Sequence, residues 1–265
     1  MTLLLLAKII IATIGIALAT APLGVFVLWK KMAYFGDAIS HSAIFGLAIA
    51  TILAVLPMYG IIICASIFAL LIILINKQNL YSSDSAIGIV SCSLIAFGMI
   101  LLNIFPNEIH LEEYLFGDLL SLNYACIVMI YLIAALVLLF ISRWFEPLLL
   151  ETINHDLAAI SGIDTSKLQL KFLLLTAFVI ACLVKIVGIF LIISVIILPA
   201  AIARNFSQTP KQMMIIATII SMICMIFGGV FSAYLNMESS PLIIAFAACL
   251  LALSIIVLKI RGQNN

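Results

Sequence analysis

Lys171-Phe-Leu-Leu-Leu-Thr-Ala-Phe-Val-Ile-Ala-Cys-Leu-Val-Lys185-Ile-Val-Gly188-Ile-Phe-Leu-Ile-Ile-Ser-Val-Ile-Ile-Leu-Pro199-Ala-Ala-Ile-Ala203 is the stretch on which the fold turns. It is apolar almost throughout, with Lys185 as the charge inside it. As one helix it would be ~50 Å long, against a hydrocarbon core of ~30 Å. Something must break it. Lys185-Ile-Val-Gly188 is the place, because a charge and a glycine sit together in mid-run. Either two short spans turn there or one long helix kinks.

Similar apolar runs lie on both sides. They cover 3–29, 38–56, 59–75, 85–104 and 123–142 before it, and 212–235 and 241–258 after it. Each is near the ~20 residues that a membrane helix needs. The predicted fold class is all-α, a polytopic transmembrane helix bundle with eight or nine spans. Pro22-Leu-Gly24 is a second weak point, inside the first span.

Composition agrees. Of 265 residues, 66% are hydrophobic and 9% charged, where a soluble domain has ~25% charged residues. Lipid must therefore face most of the chain. A net charge of +1 leaves no basic footprint for nucleic acid. The apolar N-terminus is too long for an ordinary signal peptide. The six cysteines sit singly in apolar runs with no C-x-x-C pair, as small hydrophobes do.

Basic residues give an orientation. With Lys30 and Lys31 inside, alternate loops receive Lys77, Arg143, Lys167, Lys171, Arg204, Lys211, Lys259 and Arg261, and only Lys8 and Lys185 fall elsewhere. That pattern favours nine crossings with the C-terminus inside. The opposite side collects Glu108, Glu112, Glu113, Asp118 and Glu238. These either draw cations to an acidic mouth or gather there because basic residues are kept inside. Two loops are long enough to carry structure, 106–123 outside and 143–171 inside.

Four groups of polar residues stand out. In Gly36-Asp37-Ala-Ile-Ser-His41-Ser42, Asp37 and His41 are four apart, so on a helix they share a face. A carboxylate and an imidazole suit zinc or manganese, and a charge in mid-bilayer costs roughly 3 kcal/mol. The plainer alternative makes Asp37 a helix N-cap and His41 a packing residue. In the inner loop, Glu151-Thr-Ile-Asn154-His155-Asp156-Leu-Ala158-Ala-Ile-Ser-Gly162 reads as a short helix capped by Asn154 or Asp156 and closed by Gly162. Such a helix docks into a partner or lies on the lipid interface. Glu238 is an oxygen donor in an outer turn, where most such residues are ordinary loop charges. Lys185 is read as structural.

No phosphate-binding G-x-x-x-x-G-K-[ST] loop occurs, so the chain cannot hydrolyse ATP by itself. Neither a nucleophile–base pair nor a full metal triad marks an intramembrane enzyme. From the residues alone, a secondary cation transporter driven by a proton or sodium gradient stays open, with Asp37 and His41 as a proton relay.

The segments together resemble one family, the permease subunits of zinc and manganese uptake ABC transporters. The likeness rests on Pro22 to His41, on Tyr114-Leu-Phe-Gly117-Asp118-Leu-Leu, and on Asp156-Leu-Ala158. It continues through Lys185-Ile-Val-Gly188, Leu198-Pro199-Ala-Ala-Ile-Ala203-Arg204 and Phe231-Ser-Ala, in order along nearly the whole chain. The resemblance implies a single permease domain over 1–265, multi-pass in the cell inner (plasma) membrane, that imports a divalent metal ion, zinc first and manganese second. It implies no permanently bound cofactor and an ion path lined by Asp37 and His41. Its partners would be a cytoplasmic ATP-binding subunit, an extracytoplasmic metal-binding protein, a second copy of the permease and membrane lipid. A coupling segment at about 146–166 would seat on the ATP-binding subunit, with Glu151, Asp156, Ala158 and Gly162 as its residues. The chain departs from the family at Asn236 and Ser239-Ser240-Pro241, where relatives often carry an Asp and a small-Gly-Pro turn. Asn236 is a poor metal ligand, and Glu238 is the candidate to compensate.

Overall fold

The computed structural model describes residues 3–77, 83–105, 111–117, 119, 122–235, 237–260 and 262. Among them the chain is helical, and no strand is formed. The helices are α1 (Leu3–Trp29), α2 (Ala33–Ile52), α3 (Pro57–Lys77), α4 (Ser83–Ile104), α5 (Leu111–Phe116), α6 (Tyr124–Ile153), α7 (His155–Ile160), α8 (Thr165–Val187), α9 (Ile189–Phe206), α10 (Pro210–Leu235) and α11 (Ser239–Ile260). Among the described residues nine helices are long and apolar enough to cross a membrane; α5 and α7 are the short exceptions.

The run at 171–203 is two helices. Gly188, at φ +86°, separates α8 from α9. With ψ at +154° this is a backbone conformation that essentially only glycine adopts. The resulting helices, ~35 Å and ~27 Å long, each match one bilayer crossing.

Three expected boundaries shift. Pro22-Leu-Gly24 does not interrupt α1, which is continuous to Trp29. Gly24 serves close packing instead, because a Cβ there would meet the backbone carbonyl of Ile196 in α9. The fifth span runs past the expected end at 142 to Ile153, carrying Pro147 inside it. At ~45 Å it outruns the hydrocarbon, so the inner loop expected at 143–171 is mostly helix. Finally, α2 begins at Ala33, behind an N-cap at Met32 that makes no side-chain cap bond.

The chain forms two compact units. The first comprises Met1–Trp29, Glu112–Arg143 and Ile186–Asn265. In it α1 packs on α9 and α10, and α11 packs on both of these. One part of its interior is a small-residue core of Ala21, Val25, Ala200, Ala203, Met213 and Ala217, flanked by Leu28, Trp29 and Ile220. Small side chains let the helix backbones approach where lipid offers no hydrophobic drive for association. Tyr131 on α6 donates its hydroxyl to the carbonyl of Ile11 at 3.0 Å.

A second contact in this unit is made by main chain on main chain. Gly117 (φ +68°), just past α5, lies against Gly188, and a Cβ on either would collide with the other's backbone. Ser240, in the first turn of α11, is hydrogen-bonded through its hydroxyl to the carbonyl of Phe116 and lies 3.1 Å from that of Val187. Both carbonyls belong to the last turns of helices and lack an intrahelical donor.

The second unit comprises Lys30–Leu111 and Trp144–Lys185. Here α2 packs on both α3 and α4. Gly46 and Gly60 meet at the α2–α3 crossing, where a Cβ on Gly46 would lie 2.7 Å from the Gly60 carbonyl oxygen. Phe35 and Phe68 pack beside each other, ring centroids 6.1 Å apart. At the head of α8, Asp164 accepts from the Lys167 backbone N–H at 3.0 Å and pairs with its ammonium at 2.8 Å. The hydrogen bond to the Lys167 side chain is the main reason its carboxyl is held below the usual carboxylate range.

Candidate functional site

Asp37 and His41 both lie within α2, the fifth and ninth residues of the helix. Because the N-cap is Met32, the helix-capping alternative for Asp37 does not hold. The Asp37 side chain lies outside the described residues. That of His41 is half-buried, with Nδ1 3.2 Å from the hydroxyl of Ser91 on α4. Ser91 is itself buried. When Nδ1–H donates to that hydroxyl, the ring's lone pair lies on Nε2. The neighbouring hydroxyls are turned to their own helix: Ser40 donates to the Gly36 carbonyl at 2.9 Å and Ser42 to that of Ile39 at 2.6 Å. Ser91 went unnoticed in the sequence because a lone serine fifty residues from its partner carries no periodic signal.

Glu238 is exposed just ahead of α11 and belongs to the first unit, whereas Asp37 and His41 belong to the second. Glu108, Asp118 and Asn236, and the side chains of Glu112 and Glu113, lie outside the described residues. Among the described residues no three of His, Cys, Asp and Glu gather closely enough to hold a metal ion. All six cysteines are free; Cys64, Cys182 and Cys224 are buried, while Cys92 and Cys249 are exposed.

The inner elbow forms as its sequence predicts. Asn154 is the N-cap of α7, its Oδ1 accepting from the Leu157 backbone N–H at 3.0 Å. Asp156 lies in the first turn, where a carboxylate complements the helix dipole. Gly162, at φ +81°, follows the Ser161 C-cap, and its N–H bonds to the Ala159 carbonyl. His155 Nε2 lies 3.2 Å from the Thr165 hydroxyl, which ties α7 to the head of α8.

The four residues expected to couple divide into two pairs. Asp156 and Gly162 are exposed, whereas Ala158 and Glu151 are buried. Glu151 points inward, with Oε2 2.7 Å from Lys30 Nζ. The outward apolar face consists instead of Ile153, Leu157 and Ile160, at 72%, 49% and 85% exposure. Ile153 ends α6, and Leu157 and Ile160 lie three apart on α7, so the face is assembled across the Asn154 break and no single helical period in the sequence marks it.

Residues 3–258 match the ABC 3 transport family. The chain belongs to that family. Membership of an ABC transport family displaces the gradient-driven carrier. The chain is 37% identical, over 91% of its length and 93% of the relative's, to the high-affinity zinc uptake system membrane protein ZnuB of Haemophilus influenzae. It is 28% identical, over 97% of its length and 91% of the relative's, to the manganese import system permease protein ScaB of Streptococcus parasanguinis. Among solved structures it is similar to PsaBC from Streptococcus pneumoniae in complex with Fab, with a TM-score of 0.84 and 26% identity. That match covers 97% of this chain and 95% of that one. This ABC 3 family member is therefore a multi-pass membrane protein and a component of a transporter.

Proposed function

We propose that the chain is the membrane-spanning permease of an ATP-driven importer of divalent metal ions in the cell inner membrane, with zinc as its cargo. The observation that carries this is the end-to-end similarity to the Haemophilus zinc uptake protein, at 37% identity against 28% for the streptococcal manganese permease. ATP is hydrolysed on a separate cytoplasmic subunit, an extracytoplasmic metal-binding protein delivers the ion, and two copies of the permease form the path. The permease is one functional domain, and its coupling segment is the elbow at about 146–166.

The ion meets Asp37 and His41 on α2. Few ligands per chain suit an ion that must leave again, whereas a closed four-ligand zinc site of the structural kind would trap it. Ser91 holds the His41 ring in register. Exposed Ile153, Leu157 and Ile160 form the face that seats on the ATP-binding subunit, with Asp156 and Gly162 beside them. Buried Ala158 fixes the underside of α7, and Glu151 acts from within. Closure of the ATP-binding subunits pushes α7, and the bundle switches between outward and inward access.

The test is zinc uptake by the reconstituted complex of permease, ATP-binding subunit and metal-binding protein. Asp37→Asn and His41→Ala are expected to abolish uptake with assembly intact, and unchanged uptake in both variants removes the site. Excess manganese should compete poorly with zinc; equal competition would reassign the cargo.

A further inference from the structure

Lys30 and Glu151 form a buried ion pair, with Nζ 2.7 Å from Oε2 and side chains only 7% and 5% exposed. The Lys30 ammonium also lies 5.7 Å from the centre of the Phe172 ring on α8. Among the described residues Lys30 is the partner of that Glu151 oxygen, which accepts no other bond. Taking two charges out of water costs several kcal/mol per ion, and a pair of this kind is weak evidence for stability alone. Its place in the chain points to another use.

Lys30 follows the last residue of α1 and precedes α2 by two residues. Its neighbour Lys31 stands at φ 55°, a left-handed backbone that a side chain rarely adopts. Such a conformation persists where the surroundings over-determine it. Glu151 lies in the last turn of α6, three residues before the Asn154 cap of α7. The pair thus fastens the turn that starts α2 to the elbow that starts α7. An apolar contact can slide, whereas an ion pair in a low-dielectric setting is strongly attracted to its one counter-charge and holds to it as the backbone shifts.

We propose that Lys30 and Glu151 are positioning residues for transport, a charged link that carries displacement of α7 into the first turn of α2 and so to Asp37 and His41. This rests on the permease reading above and adds to it the route by which ATP-driven movement reaches the ion. Neither residue contacts the ion or the nucleotide.

The experiment counts zinc transported and ATP hydrolysed in the same proteoliposomes, which hold the full complex with its metal-binding protein. Lys30→Met and Glu151→Gln each leave one partner without its counter-group. Each is expected to lower zinc transported per ATP by about tenfold while ATP turnover continues. The double variant Lys30→Met with Glu151→Leu removes both charges and refills the space, so it is expected to accumulate like wild type. It should nevertheless show the same loss of zinc per ATP. Wild-type zinc per ATP in the double variant overturns the link and leaves the pair a packing feature. A fall of ATP turnover in step with uptake in the single variants, with the double variant normal in both, overturns it too. Absence of ATP-dependent zinc uptake by the wild-type complex is the distinct result that overturns the permease reading, and the link with it.

Discussion

The contact at Gly117 and Gly188 and the contact at Lys30 and Glu151 join helices by opposite means. At the first, in one unit, two backbones touch with no side chain between them, and the Ser240 hydroxyl donates to the helix-end carbonyl of Phe116 beside that of Val187. At the second, in the other unit, two long side chains meet as charges, 2.7 Å apart, with an aromatic ring nearby. Both consume polarity that an apolar medium cannot solvate. The glycine contact has nothing in it that can rearrange, so it suits a fixed joint. The charged contact sits on rotatable stems and keeps its partner while the backbone shifts, so it suits a joint that moves.

The largest effect that would sharpen this contrast is expected at the glycines. Gly188→Ala forces a Cβ into the backbone of Phe116 and Gly117 at φ +86°. No flexible neighbour can give way there. A loss of about 4 kcal/mol or more is expected, read as lost thermal stability of the purified permease, and a stable Gly188→Ala protein would break the fixed-joint description. Next comes Lys30→Met alone, which orphans a buried carboxylate and should cost about 3 kcal/mol. Adding Glu151→Leu should recover most of it, and failure to recover would show that the two residues do not act as a pair.

Ser240→Ala is expected to cost about 1–3 kcal/mol, the penalty for a buried carbonyl that loses its donor. A neutral result in the same melting assay would assign the joint to glycine packing alone. The smallest effect is expected at Asn154→Ala, which removes the α7 cap and should cost about 1 kcal/mol. Because α7 is exposed, this substitution should show first as faster hydrogen exchange at Leu157, with global melting nearly unchanged. A large fall in melting temperature would mean that α7 supports the second unit more than its exposure suggests.

Much of the fold was legible beforehand because lipid imposes a length rule and a polarity rule on every span. The break at Gly188, the Asn154 cap and the Gly162 stop follow from local chemistry, since their causes lie within a few residues. The misread boundaries have causes farther away. Pro22-Leu-Gly24 looked like a break because the neighbour that uses Gly24, Ile196, is far off in sequence. The fifth span continues as helix through Arg143, Glu146 and Pro147, residues whose charge and turn chemistry read as a loop. Of the candidate site, the Asp37 and His41 spacing was visible and the Ser91 partner was not.

By itself the sequence determined that this chain crosses a membrane many times, that the run at 171–203 must break near Gly188, and which carboxylate and imidazole share a helix. Those are consequences of composition and of residues within a turn or two of each other. Only the tertiary structure decided that Glu151 pairs with Lys30, that Ser91 holds His41, and that two glycines far apart in sequence meet. A side chain's partner across such distances depends on how helices pack, and packing is a property of the whole chain in three dimensions.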